Sequence, residues 1–213
     1  MIPADWSSLS RLAEAPILVP FVLICSLALA LQPHGSRMGG WWSATFGLAG
    51  LVTLATKVAF LGWGIGSAAL DFTGISGHAM CAAAVYPTLL VAVTPQAHPR
   101  WRVPALVAGA LLALLIGCSR VILGAHSGSE VLAGLVLGGV AAALTLRFAS
   151  PRTPRLPALL LLVPCAALLA VPAPVSAQAS HGTVVRLALA LSGRTVPYTR
   201  AELRRAHALN AAQ

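Results

Sequence analysis

Charge is what this sequence has least of. Only 9% of its 213 residues are Asp, Glu, Lys or Arg, about a third of the roughly 25% found in soluble domains. The acids number five, and Lys57 is the single lysine. With 58% of residues hydrophobic, disorder is excluded. A water-soluble fold is the class least expected, because a chain this short has too much surface to hide so much apolar content. Paired cysteine spacing is also missing. Cys25, Cys81, Cys118 and Cys165 each stand in an apolar stretch, which argues against a metal site or disulfide frame and reads them as small buried hydrophobes. A basic leader is lacking as well. Asp5, Arg11 and Glu14 precede the first apolar run, so that run reads as a retained span rather than a secretory signal.

The charge that is present is lopsided, thirteen Arg and Lys57 against five acids for a net +9. Such a balance suits nucleic acid or an anionic membrane surface. The long apolar runs select the membrane. Six apolar segments, near 12–31, 41–63, 76–93, 103–119, 129–148 and 156–175, are separated by Gly, Pro and nearly all the charge. Each reaches the roughly 17-residue lower limit for crossing the hydrocarbon as a helix. The expected fold is therefore all-α, an integral membrane bundle of six transmembrane helices over residues 1–175, followed by a basic polar tail over 176–213. Trp41, Trp42 and Trp63 bracket the second segment as an interfacial belt would. Gly134-x-x-x-Gly138 suits close helix contact in lipid. In the tail, Thr199 and Glu202 have the spacing of a capping box, which predicts a basic helix lying free or on headgroups.

Arginine in the connections 32–40, 94–102 and 149–155 assigns that side to the cytoplasm. The 64–75 and 120–128 connections then lie together on the opposite face. In so apolar a chain each ionisable group near membrane depth is a functional candidate. Lys57 lies six residues before Trp63, which also suits a snorkelling lysine. Ser76 and Gly77 open the third segment, where a helix N-terminus attracts anions, and His78 would stand beside one; a simple helix cap fits as well. Arg120 offers a planar fork for phosphate. His126 and Glu130 are four apart, on one face of a helical turn. A carboxylate holding one imidazole nitrogen leaves the other free to act as nucleophile or base. Ser127-x-x-Glu130 is equally a capping box, and both roles are compatible. Two His, one Lys, one Arg and one Glu thus converge on one interface.

These residues resemble the type 2 phosphatidic acid phosphatase superfamily, known by the motifs Lys-x6-Arg-Pro, Pro-Ser-Gly-His and Ser-Arg-x5-His-x3-Asp. Here the third reads Ser119-Arg120-x5-His126-x3-Glu130, with Glu for Asp. The second reads Ile75-Ser76-Gly77-His78, with Ile for Pro. Of the first only Lys57 stands, because Gly64-Ile65 replaces Arg-Pro. The resemblance covers roughly 57–135. It implies a metal-independent lipid phosphate phosphatase, without cofactor, working through a phosphohistidine. His126 would attack phosphorus with Glu130 orienting it, and His78 would protonate the leaving oxygen and later activate water. Lys57, Arg120, Ser76 and the Gly77 backbone would bind phosphate oxygens. The partners implied are a phosphorylated lipid substrate and membrane lipids, not nucleic acid. The location implied is a bacterial inner membrane, with the site on its non-cytoplasmic side. A tail arginine, Arg194 or Arg200, is a candidate to replace the missing first-motif Arg. The alternatives are a polyprenyl diphosphate phosphatase, a relative that only binds phosphorylated lipid, and a small transporter or structural membrane protein. The complete His126/His78 pair argues against the last two, since a binder needs no nucleophile.

Overall fold

The computed structural model describes residues 4–94, 99–149, 155–164, 166 and 173–211. Proline and glycine punctuate its helices. A short α1 (Ala4–Arg11) leads into α2 (Ala15–Ala30), with Pro16 in its first turn, where a missing N–H costs nothing. α3 (Ser36–Trp63) ends at Gly64, whose φ of 70° closes the helix in the left-handed conformation. α4 (Gly77–Val93) starts from the Ser76 cap, and α5 spans Arg102–Ile122. α6 (Gly128–Phe148) opens with a full capping box between Ser127 and Glu130. α7 (Ala173–Ser192) and α8 (Arg200–Ala211) follow. Among the described residues there is no strand, only an isolated bridge between Ser67 and Phe72 that pinches the 64–75 connection. The all-α expectation is met.

α4 is the central helix. Nearly every residue from Ala79 to Val93 is buried, enclosed by α2, α3, α5 and α6. Its run of small residues, Ala82-Ala83-Ala84, lets neighbouring backbones approach. The Gly134–Gly138 spacing serves this contact. A Cβ on Gly134 would fall 2.6 Å from the Ser76 carbonyl oxygen, and one on Gly138 would collide with that of Met80. Between α3 and α6, Thr45 and Thr145 share a buried 2.8 Å hydroxyl hydrogen bond. The outer faces of α2, α3, α5 and α6 expose Leu23, Leu27, Leu51, Leu111, Leu132 and Val136. A soluble monomer does not leave so much large apolar surface in water; a lipid-facing bundle does.

Three helices, α3, α5 and α6, are long and apolar enough to cross a membrane. The first and third apolar helices, α2 and α4, have only 16 and 17 residues, at the edge of the ~17-residue limit. Of the sixth expected span, 156–175, residues 165 and 167–172 lie outside the described residues. What is described of it opens with a 3₁₀ turn at Ala158–Leu161.

α7 runs across 175/176, and this part of the tail packs back on the bundle. Ala188 is fully buried, and Gly62 of α3 lies against the Ala188 carbonyl and Ser192. The α7 sequence has too few consecutive large apolar residues to read as a span, yet its small ones suit close packing. The aromatic belt is smaller than expected. Trp42 is 1% exposed, on the core face of α3, while Trp41 stacks on Phe148 at 4.4 Å and Trp63 stays exposed. Of the cysteines, Cys25 and Cys81 are buried but Cys118 is exposed, on the outer side of α5.

Candidate active site

Two connections meet at one end of the bundle. The α3–α4 connection (64–76) is tied to α6 by a hydrogen bond from the Ser76 amide to the Glu130 carbonyl, 3.0 Å. A second, from the Ser129 hydroxyl to the Leu70 carbonyl, measures 2.6 Å. It is tied to α3 by the Ile75 amide, which donates to Thr56 Oγ1 at 3.1 Å. The α5–α6 connection turns at Gly124, φ 64°, so that the Ala125 and His126 amides both donate to the Arg120 carbonyl. This turn sets Arg120 and His126 beside each other.

Glu130 organises what lies between. It is fully buried, and a carboxylate taken out of water loses several kcal/mol of hydration. Five donors compensate. Oε2 accepts from His126 Nδ1 at 2.7 Å and from the Ser127 amide at 3.2 Å. Oε1 accepts from the Thr73 amide at 2.7 Å, the Thr73 hydroxyl at 2.6 Å and Arg200 Nη2 at 2.8 Å. An ionised carboxylate only accepts, so Nδ1 carries the proton and Nε2 keeps its lone pair. The cap and the orienting role coexist in one side chain.

Lys57, His78 and Arg120 lie within electrostatic reach of His126 and of one another. Gly74 packs on the Lys57 stem, where a Cβ would come 3.0 Å from its Cγ. Ser76 is fully buried, and its hydroxyl caps α4 by accepting from the Ala79 amide. The Gly77 and His78 amides in the first turn consequently have no intrahelical acceptor. Arg120 donates from Nη1 to Ser10 of α1 at 2.6 Å. His126 sits below the ordinary histidine range: burial is the main cause, Lys57 and Arg120 add to it, and the Glu130 hydrogen bond opposes it. The uncharged form, with Nε2 unprotonated, is thereby favoured.

All seven residues singled out in the sequence, Lys57, Ser76, Gly77, His78, Arg120, His126 and Glu130, come from four helices and the two connections between them to this one end. Thr73, Asp71 and Ser10 were missed. The capping-box spacing gave only Glu130's local partners, and no pattern in the sequence ties Thr73 to a residue 57 positions later. Of the two tail arginines, Arg200 reaches the site while Arg194 stacks 3.9 Å over the Tyr198 ring. Arg200 bonds to Asp71, Thr73 and Glu130. It is thus spoken for by acceptors of the protein rather than held open for phosphate.

The profile of the PAP2 superfamily matches residues 65–154, the span that holds six of the seven. An uncharacterized 22.5 kDa protein in the cps region of Klebsiella pneumoniae is 37% identical over 142 residues, covering 67% of this chain and 68% of that protein. No solved structure matches significantly.

Proposed function

The chain belongs to the PAP2 superfamily of phosphatases, and from that premise we propose that it hydrolyses a lipid phosphate monoester through a phosphohistidine on His126. The observation that carries this reading is the 2.7 Å bond from His126 Nδ1 to the buried Glu130, which leaves Nε2 unprotonated at an end of the bundle lined by cations. Nε2 attacks phosphorus and the P–O bond to the lipid alcohol breaks, with His78 giving its proton to the leaving oxygen. His78 then takes a proton from water, which attacks the phosphohistidine and releases inorganic phosphate and free His126. Lys57, Arg120, the Ser76 hydroxyl and the Gly77 amide bind the phosphate oxygens. Phosphoryl transfer asks mainly for this positioning and charge neutralisation, and an acid–base histidine adds about 10²–10⁴-fold.

The substrate head enters from the lipid at the non-cytoplasmic interface, in a bacterial inner membrane, with α2 and α4 and the 156–175 segment completing a six-span bundle. One observation favours a second reading. Gly64 occupies the place of the first-motif arginine in a left-handed turn against the Tyr198 ring, so that cation is gone, and a weakened relative that binds phosphorylated lipid is the rival.

The test is an assay of purified protein on phosphatidate, lysophosphatidate and a polyprenyl diphosphate, with chelator present. Release of phosphate from a monoester supports the proposal. Preference for the diphosphate moves the substrate class, and saturable lipid binding without turnover favours the rival.

A further inference from the structure

The C-terminal segment is docked on the active end by several independent contacts. The Tyr198 amide donates to the Leu61 carbonyl at 2.9 Å, and the Tyr198 ring covers Gly64. Thr199 and Glu202 cap α8 reciprocally, with Glu202 Oε2 accepting from the Thr199 amide at 2.7 Å and the Glu202 amide donating to Thr199 Oγ1 at 3.3 Å. Leu203 lies over Gly66, and Arg204 Nη2 donates to Asp71 Oδ1 at 2.9 Å. The first residue of α8 is thereby aimed inward. Arg200 Nη1 donates to Asp71 Oδ2 at 2.6 Å and to the Asp71 carbonyl at 3.0 Å. Nη2 donates to Glu130 Oε1 at 2.8 Å and to Thr73 Oγ1 at 3.1 Å. Asp71 takes a left-handed φ of 49° there, uncommon outside glycine. A planar guanidinium with both arms engaged fixes position and charge together, which a lysine cannot do.

We propose that Arg200 is a positioning residue of the active site: α8 supplies the guanidinium that holds Glu130 in place and balances its charge, and through Glu130 sets the orientation of His126. The proposal rests on the phosphatase reading. It differs from the simpler idea that a tail arginine takes up phosphate, because both arms of Arg200 already face protein oxygens. The site is complete only with the tail docked.

Removing Arg200 takes a cation off Glu130 Oε1 and leaves its charge less balanced beside His126, which favours the imidazolium and disfavours the nucleophile. The other groups facing His126 are Lys57 from α3, His78 from α4 and Arg120 from α5, and the substitution leaves them in place. The experiment compares full-length wild type, Arg200→Ala, Arg200→Lys and Arg205→Ala, the last an exposed residue of the same helix. In Arg200→Ala, kcat falls about 10²-fold, the scale of an ångström-level misplacement. The acid limb of kcat/KM moves to higher pH, while KM moves little. Arg200→Lys restores the limb and part of kcat, and Arg205→Ala stays within about twofold of wild type in both, as expected of a surface position. A parallel NMR titration of His126 in histidine-labelled protein, assigned with His126→Asn, reads the same shift without substrate. A His126 titration unchanged in Arg200→Ala overturns the proposal whatever the activity, as does lost activity with an unmoved limb. A wild type that titrates as expected but turns over no lipid phosphate overturns the phosphatase reading alone.

Discussion

His126 Nδ1 and Glu130 Oε2 lie 2.7 Å apart across one helical turn, with the carboxylate wholly buried and the imidazole partly open. The same carboxylate caps α6 and holds the α3–α4 connection through Thr73. One side chain therefore links fold and chemistry, and substitutions there separate the two.

Glu130→Gln keeps the volume but reverses half of the hydrogen bonding, since its amide nitrogen cannot accept. The expected loss in kcat is about 10⁴-fold, as for a mis-tautomerised catalytic histidine. Glu130→Asp keeps the charge and the family's usual residue, yet its arm is a methylene too short to meet Thr73, Arg200 and His126 together. Its kcat falls about 10²-fold. Steady-state kinetics on both variants checks the order; an aspartate variant as fast as wild type would show that Glu130 is not positioned by these contacts.

The pH dependence follows from the burial of His126. In the proposed mechanism neutral imidazole is the nucleophile, and burial lowers its proton affinity, so lowering the pH depletes it only once the medium falls below the ordinary histidine range near 6.5. A profile of kcat/KM breaks on the acid side below that value, while its alkaline side is set by loss of the proton that His78 gives to the leaving oxygen. An acid limb above it contradicts the assignment.

Helix contact in the bundle depends on missing side chains. Gly138→Val drives a branched side chain into the Met80 carbonyl, and Gly134→Ala a methyl into that of Ser76. The first destabilises by about 1–3 kcal/mol, typical of overpacking. The second displaces the start of α4 and lowers activity more than stability. Gly139→Ala, which meets nothing within 4 Å, is the control. Thermal unfolding in detergent together with the lipid phosphate assay distinguishes the three.

The parts of this molecule readable from sequence are those governed by local spacing. His126 and Glu130 at i and i+4, the Ser127 cap and the Ser76 cap all follow from helix geometry, and topology alone places the 64–75 and 120–128 connections on one face. What escaped is long-range. Thr73 and Asp71 acquire their roles from Glu130 and Arg200, 57 and 129 positions away. α7 packs through small residues such as Ala188, which hydropathy undervalues. The place of Trp42 near a helix end says nothing about which side of the helix it faces, and that side is the core.

The central claim is a covalent phosphohistidine on His126. Purified wild type mixed with ³²P-labelled lipid phosphate in the presence of chelator and quenched in alkali, where phosphohistidine survives, should retain label on the peptide containing His126. His126→Ala should retain none and should lose turnover by about 10³-fold or more, the scale for removing a nucleophile. Turnover that persists in His126→Ala, or that disappears with chelator in the wild type, would contradict the account.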